Sequence, residues 1–124
     1  MGYGTTVREE LRRPSRELRH LIPEVYRGYH ELHDSALAPG ALDARTKELI
    51  ALAIAVTREC DGCIAAHAHA AVAHGVGEQE VAEAMGVAIL MNGGPGTVYG
   101  PRALAAFQEF AEQQQQHQQA AGSH

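Results

Sequence analysis

The sequence predicts an all-α fold, built as one compact helical domain. Three observations predict it. Apolar residues recur at three- and four-residue steps over most of the 124 residues. No stretch of useful length alternates with the two-residue period of a strand. Capping and breaking residues punctuate the pattern where helices should begin and end.

Residues 1–14 read as an N-terminal extension. Ser15 is an expected N-cap for a helix over residues 15–37, in which Leu18, Leu21, Ile22, Val25, Tyr26, Tyr29 and Leu32 carry the helical spacing. Pro23 breaks or restarts that helix, and Ala38-Pro39-Gly40 forms a loop. Asp43 is a good N-cap for a second segment over residues 44–58, whose centre, residues 49–56, is apolar all round and predicts a buried, central helix. A third segment runs over residues 60–74 and stops at Gly75 as a C′ glycine. A fourth covers residues 78–92, with Glu78 and Glu80 in its first turn, where the helix dipole favours them. Asn92-Gly93-Gly94-Pro95-Gly96 ends it, and a last helix is expected over residues 101–113. The domain therefore spans residues 15–112, and residues 113–124 read as a Gln-rich flexible tail.

Composition narrows the function. The formal net charge is −5 with Lys and Arg totalling 10, which gives no overall basic footprint for nucleic acid. No apolar run reaches the ~18 residues of a membrane span, and the first twenty residues lack the apolar stretch of a secretory signal, so a cytoplasmic location is expected. The chain has no Trp, two Phe and four Tyr against 22 Ala. Small side chains fill little volume, so either the helices approach closely or a partner subunit supplies further burial.

In a compartment where structural disulfides are rare, the two cysteines, Cys60 and Cys63, need an explanation. On a wheel at about 100° per residue, Cys63 falls near −60° and His67 near −20° from Cys60, so the three share one face while His69 points away. This arrangement suits a redox-active dithiol. Helix N-terminal N–H groups favour a thiolate, the imidazole can take its proton, and the second sulfur can condense with a sulfenic acid. The segments flanking residue 59 should form an antiparallel helical hairpin. That register puts Glu48 about level with residue 70 and within one helical turn of His67, where a carboxylate can orient the imidazole. Glu59 should sit at a helix end in water. Tyr99 is a weaker candidate for lining a pocket. Other readings stay open at this point: two buried small hydrophobes, a short structural disulfide, or a zinc site using Cys60, Cys63 and His67 with Glu48 or another chain's ligand.

Glu48, Cys60-x-x-Cys63 and His67, with the Ala-rich helix through Ala65-Ala66-His67, Gly75-Val76 and residues 78–91, resemble the signature of the AhpD-like alkylhydroperoxidases within the broader carboxymuconolactone decarboxylase family. The resemblance is best over residues 40–92. It implies an all-α fold assembled as homo-trimers or homo-hexamers, and a thiol peroxidase or disulfide reductase that needs no cofactor or metal. It further implies that Cys63 attacks a small-molecule hydroperoxide, Cys60 resolves the product, and Glu48 and His67 relay the proton. A dithiol or a lipoyl-type protein would be the reductant. The best-known peroxidase members carry a histidine immediately before the second cysteine; here that position is Gly62, preceded by Asp61. The expected function is thus a peroxiredoxin-type antioxidant activity. Two alternatives stand beside it: a lyase acting on a lactone-like substrate through Glu48 and His67, and a non-catalytic redox-sensing or metal-binding oligomer.

Overall fold

The computed structural model describes residues 2–122. Six helices follow in order: α1 (Tyr3–Leu21), α2 (Pro23–Leu37), α3 (Ala44–Thr57), α4 (Asp61–Ala73), α5 (Glu78–Asn92) and α6 (Gly94–Gly122). Among the described residues there is no strand, so the fold is all-α, with the cysteine pair at the junction of α3 and α4.

Alanine sets the spacing of the helices. Ala65, Ala68 and Ala71 of α4 and Ala103 and Ala106 of α6 are wholly buried, and with no side chain beyond Cβ they let α4 settle between α1, α3 and α6. Leu52, Val56, Ile64 and Val81 are the larger side chains that fill the remaining space.

The middle of the chain follows its caps. The Asp43 side chain accepts a hydrogen bond from the Thr46 N–H at 2.7 Å, which starts α3 and holds the Asp43 carboxyl below its ordinary range. Pro23 begins α2 after Ile22, whose φ of −134° and ψ of 60° leave the helix, as a residue without an N–H can. Gly75 ends α4 at φ 77°. There the Val76 N–H reaches the Ala71 carbonyl and the Gly75 N–H reaches that of Val72, both at 3.0 Å.

Three expectations are corrected. The first helix starts at Tyr3, and Ser15 lies inside it rather than capping it. Residues 3–14 are held because Gly4 is buried against α6, where even a Cβ would come within 2.8 Å of the Phe110 ring. The last helix starts at Gly94, not at Pro101, and continues through the exposed Gln-rich stretch to Gly122. Gly96 lies so close to α5 that an added Cβ would stand 2.9 Å from the Ile89 Cα, so its glycine serves close packing as well as the turn at Gly93. Finally, α3 is not buried all round: it turns Glu48, Leu52, Ala55 and Val56 inward, while Ile50 and Ile54 stay exposed. It is central all the same: α3 touches α2, α4, α5 and α6, as α6 touches α1, α3, α4 and α5, whereas α4 packs on three neighbours.

The α2 helix has no buried residue. Val25, Tyr29 and Leu32 are each more than 60% exposed although they share one helical face. Its C-terminus is tied down by Lys47 of α3, whose Nζ donates to the carbonyls of Ala36 (3.0 Å) and Ala38 (2.5 Å). No helix among the described residues is long and apolar enough to cross a membrane.

Candidate active site

The site is built on a three-residue corner. Arg58 ends α3, Glu59 takes the left-handed conformation at φ 55°, and Cys60 follows. The Cys60 N–H donates to the Ala55 carbonyl and the Glu59 N–H to that of Val56, each at 3.1 Å. This is the hydrogen-bond pattern that normally places glycine where Glu59 stands. Cys60 closes one helix and caps the next: its Sγ accepts the Cys63 N–H at 3.2 Å, at the start of α4. Both sulfurs therefore sit where the helix dipole is positive.

Cys60 and Cys63 are joined in a disulfide. Cys63 is exposed and Cys60 half-buried. One turn further along α4, the His67 ring nitrogen Nδ1 lies 2.8 Å from Glu48 Oε2. Glu48 is 3% exposed, the single buried charged residue of the described core. The antiparallel hairpin of α3 and α4 thus brings all four sequence candidates to one place. Glu59 is exposed, as expected, and His69 points away, edge-on to Phe110 with ring centroids 5.1 Å apart. Burial, then the nearby Arg8 cation, depress the His69 pKa. Tyr99 lines neither cleft at the site and packs under the Arg102 guanidinium.

The disulfide and His67 form a ridge between two open clefts. One, of about 380 Å³, is walled by Tyr29, His30 and His33 of α2. The other, of about 490 Å³, is walled by Ala51, Ile54 and Ala55 of α3, with Arg58 at the corner. The His33 ring lies nearly parallel to that of His67, with centroids 6.4 Å apart. His30, His33 and Arg58 border these clefts without any local sequence signal that singles them out. The histidines lie on α2 one turn apart and next to its apolar stripe, a pattern that reads as packing until α2 is seen beside α4.

Gly62, at the position that departs from the peroxidase pattern, faces α1: a Cβ there would stand 3.0 Å from Leu11 Cδ1. The preceding Asp61 accepts a hydrogen bond from the Tyr3 hydroxyl at 2.5 Å, which ties α1 to the start of α4. Burial, reinforced by that bond to Asp61, holds the Tyr3 phenol well above its ordinary pKa. Among the described residues, no three or more His, Cys, Asp or Glu side chains are grouped to hold a metal ion.

An all-α domain with a Cys-x-x-Cys at a helix start, backed by a buried carboxylate–histidine pair, defines an AhpD-like fold and site. The chain belongs to the carboxymuconolactone decarboxylase family, whose profile matches residues 23–112. A carboxymuconolactone decarboxylase family protein from Legionella pneumophila superposes with a TM-score of 0.84 at 37% identity, covering 87% of this chain and 96% of that one. A protein of known structure from Thermotoga maritima superposes with a TM-score of 0.71 at 28% identity, over 82% of this chain and 92% of its own. In sequence, an uncharacterized protein of Cupriavidus necator is 36% identical over 79% of this chain and 87% of its own length. One from Haemophilus influenzae is 46% identical over 73% and 80%.

Proposed function

We propose that this chain is a thiol-dependent oxidoreductase that reduces organic hydroperoxides, with Cys63 attacking, Cys60 resolving, and His67 with Glu48 moving the proton. The observation that carries the reading is the 2.8 Å bond from His67 to a carboxylate that is 3% exposed, one turn behind an exposed cysteine sulfur. A buried carboxylate on Nδ1 fixes the ring so that Nε2 is the free base.

In the dithiol state, Nε2 takes the Cys63 proton. The thiolate attacks the terminal oxygen of the hydroperoxide and the O–O bond breaks. Cys63 becomes a sulfenic acid, and the departing alkoxide leaves as an alcohol with the proton held by His67. The Cys60 thiol then attacks the Cys63 sulfur, releasing water and forming the disulfide. Two electrons leave the dithiol, and two reduce the hydroperoxide to alcohol and water. A dithiol reductant reverses the oxidation. Its thiolate attacks the exposed Cys63 sulfur and expels the Cys60 thiolate, which the Cys63 N–H at the helix start stabilises. The reductant's second thiol then attacks the mixed disulfide and frees Cys63.

In this reading the chain acts in the cytoplasm as a homo-trimer or homo-hexamer, without cofactor, metal, nucleic acid or membrane. The exposed apolar residues of α2, and Leu90 and Met91 of α5 at 80% and 76% exposure, are what support assembly.

Consumption of cumene hydroperoxide in the presence of dithiothreitol tests the reading. Cys63→Ser abolishes turnover. Unchanged turnover in that variant, or after alkylation of both thiols, overturns it. A second reading, a lyase acting on a lactone-like substrate, is favoured by one observation: the Glu48–His67 pair is formed without either sulfur. That activity is indifferent to thiol alkylation, so the same experiment separates the two.

A further inference from the structure

The chain is acidic overall, yet its cations are not spread evenly. Five of the ten Lys and Arg residues fall on α1, against three glutamates. Arg8, Arg12, Arg16 and Arg19 follow at steps of four, four and three, which places them on one stripe, with Glu10 and Glu17 on the opposite side of the helix. Arg16 and Arg19 have no ion pair among the described residues. Arg12 is paired with Glu9 at 3.0 Å, and Arg8 lies over the Phe110 ring.

This stripe lines an open groove of about 420 Å³ between α1 and α4. Among the described residues lining it, four are arginines and none is acidic. The groove's α4 wall is Gly62 and Ala66, and these two residues also line the cleft that holds Cys60, Cys63 and His67. Only a glycine and an alanine separate the basic groove from the disulfide, so a chain lying along the arginines reaches the sulfurs over a low saddle.

We infer that the α1 groove is the docking surface for an acidic polypeptide that carries the dithiol reductant of the Cys60–Cys63 disulfide. The inference rests on the thiol-exchange reading of the site. Charge complementarity selects the occupant. An acidic segment is drawn to the stripe, while the chain's net charge of −5 opposes non-specific approach of the same partner elsewhere. One thiolate of the docked partner attacks the exposed Cys63 sulfur and the Cys60–Cys63 bond breaks, leaving a mixed disulfide and a Cys60 thiolate. The partner's second thiolate then attacks its own sulfur in that bond and frees Cys63. The partner ends as a disulfide, two electrons and two protons pass to this chain, and no further reactant is needed.

Two synthetic peptides test this. Both contain Cys-x-x-Cys, one flanked by glutamates and the other by lysines, and the rate at which each reduces the oxidised full-length protein is followed by stopped flow. At low ionic strength the acidic peptide is expected to react about tenfold faster, and the difference should fade as salt shortens the Debye length below about 5 Å. In Arg12→Gln/Arg16→Gln/Arg19→Gln the preference falls to about twofold or less, while reduction by dithiothreitol is unchanged. Rates indifferent to peptide charge, or a preference that survives in the triple variant, overturn the inference. A readout free of redox chemistry accompanies it: fluorescence anisotropy of the acidic peptide with both cysteines changed to serine. Binding that the triple variant loses supports the groove even where no dithiol reduces the protein, a result that would instead remove the thiol-exchange reading. Tighter binding of a single-stranded oligonucleotide than of the acidic peptide assigns the groove to nucleic acid. Loss of the native oligomer in the triple variant assigns it to a second copy of this chain. Either result overturns the inference.

Discussion

Removing the His67 ring should cost stability as well as activity, because of what it leaves behind. Glu48 is buried, and its one described side-chain hydrogen bond is the 2.8 Å contact to His67 Nδ1. In His67→Ala that carboxylate loses its donor. Leaving a buried acceptor without its donor costs about 1–3 kcal/mol, and more where the acceptor is charged. The His67 side chain is 20% exposed, so water can enter the truncated position, and the expected cost is about 2–3 kcal/mol. For a chain of this length that corresponds to a fall in Tm of roughly 10 °C. Glu48→Gln alone keeps an acceptor for the Nδ1–H and costs only about 1 kcal/mol. In the double variant the buried group is a neutral amide, so its cost should be smaller than the sum of the singles by about 1–2 kcal/mol. Urea melts of the four proteins, followed by circular dichroism with the cysteines oxidised, read all three terms. Strict additivity of the two single variants would refute the reasoning, because it would mean that Glu48 and His67 do not support each other. Hydroperoxide turnover on the same samples should fall in both single variants and fail to recover in the double, although its stability partly does.

Three further predictions follow from the frame of the site. Glu59 occupies a left-handed position at φ 55° that glycine would hold without steric cost, so Glu59→Gly should raise stability by about 0.5–1 kcal/mol despite its greater unfolded-state entropy; a lower urea midpoint would contradict the strain argument. Gly96→Ala places a Cβ 2.9 Å from the Ile89 Cα. Backbone cannot swing aside as a side-chain tip can, so a loss of about 1–3 kcal/mol is expected, and an unchanged melt would show that α5 and α6 are less tightly joined. His69 is held below its ordinary pKa of 6.5 by burial and by Arg8. As the pH falls below about 6.5, the unfolded chain binds that proton first, so this residue's share of stability is complete above that pH and declines towards the folded-state value. His69→Phe keeps an aromatic ring on Phe110 and should flatten the acid limb of Tm against pH; an identical limb in both proteins would contradict the assignment.

The parts of this structure that sequence made legible are those written in local chemistry. The bounds of α3, α4 and α5 follow from Asp43, Gly75 and the acidic first turn of α5, each of which acts within one helical turn. The meeting of Glu48 with His67 was legible because a three-residue corner fixes the register of two helices, and register fixes which side chains face each other. What was hidden was written in glycine. Gly4 secures the start of α1 by letting Phe110 approach, and Gly96 secures the start of α6 by sitting on α5. Both roles are absences of a side chain, which periodicity does not register and which propensity counts as breaks. The apolar centre of α3 misled for a different reason. Ile50 and Ile54 have the composition of core residues, but in one chain nothing covers them. His33 was illegible because its distance to His67 depends on how α2 lies beside α4, and no local rule sets that angle.

If Cys60 and Cys63 are a working dithiol rather than a staple, an organic hydroperoxide must consume both. Counting free thiols on the reduced protein before and after one equivalent of an organic hydroperoxide tests that role most directly. Rapid loss of both thiols is expected, with release of one equivalent of alcohol and full recovery on addition of a dithiol. Two thiols still free after hydroperoxide treatment would contradict it.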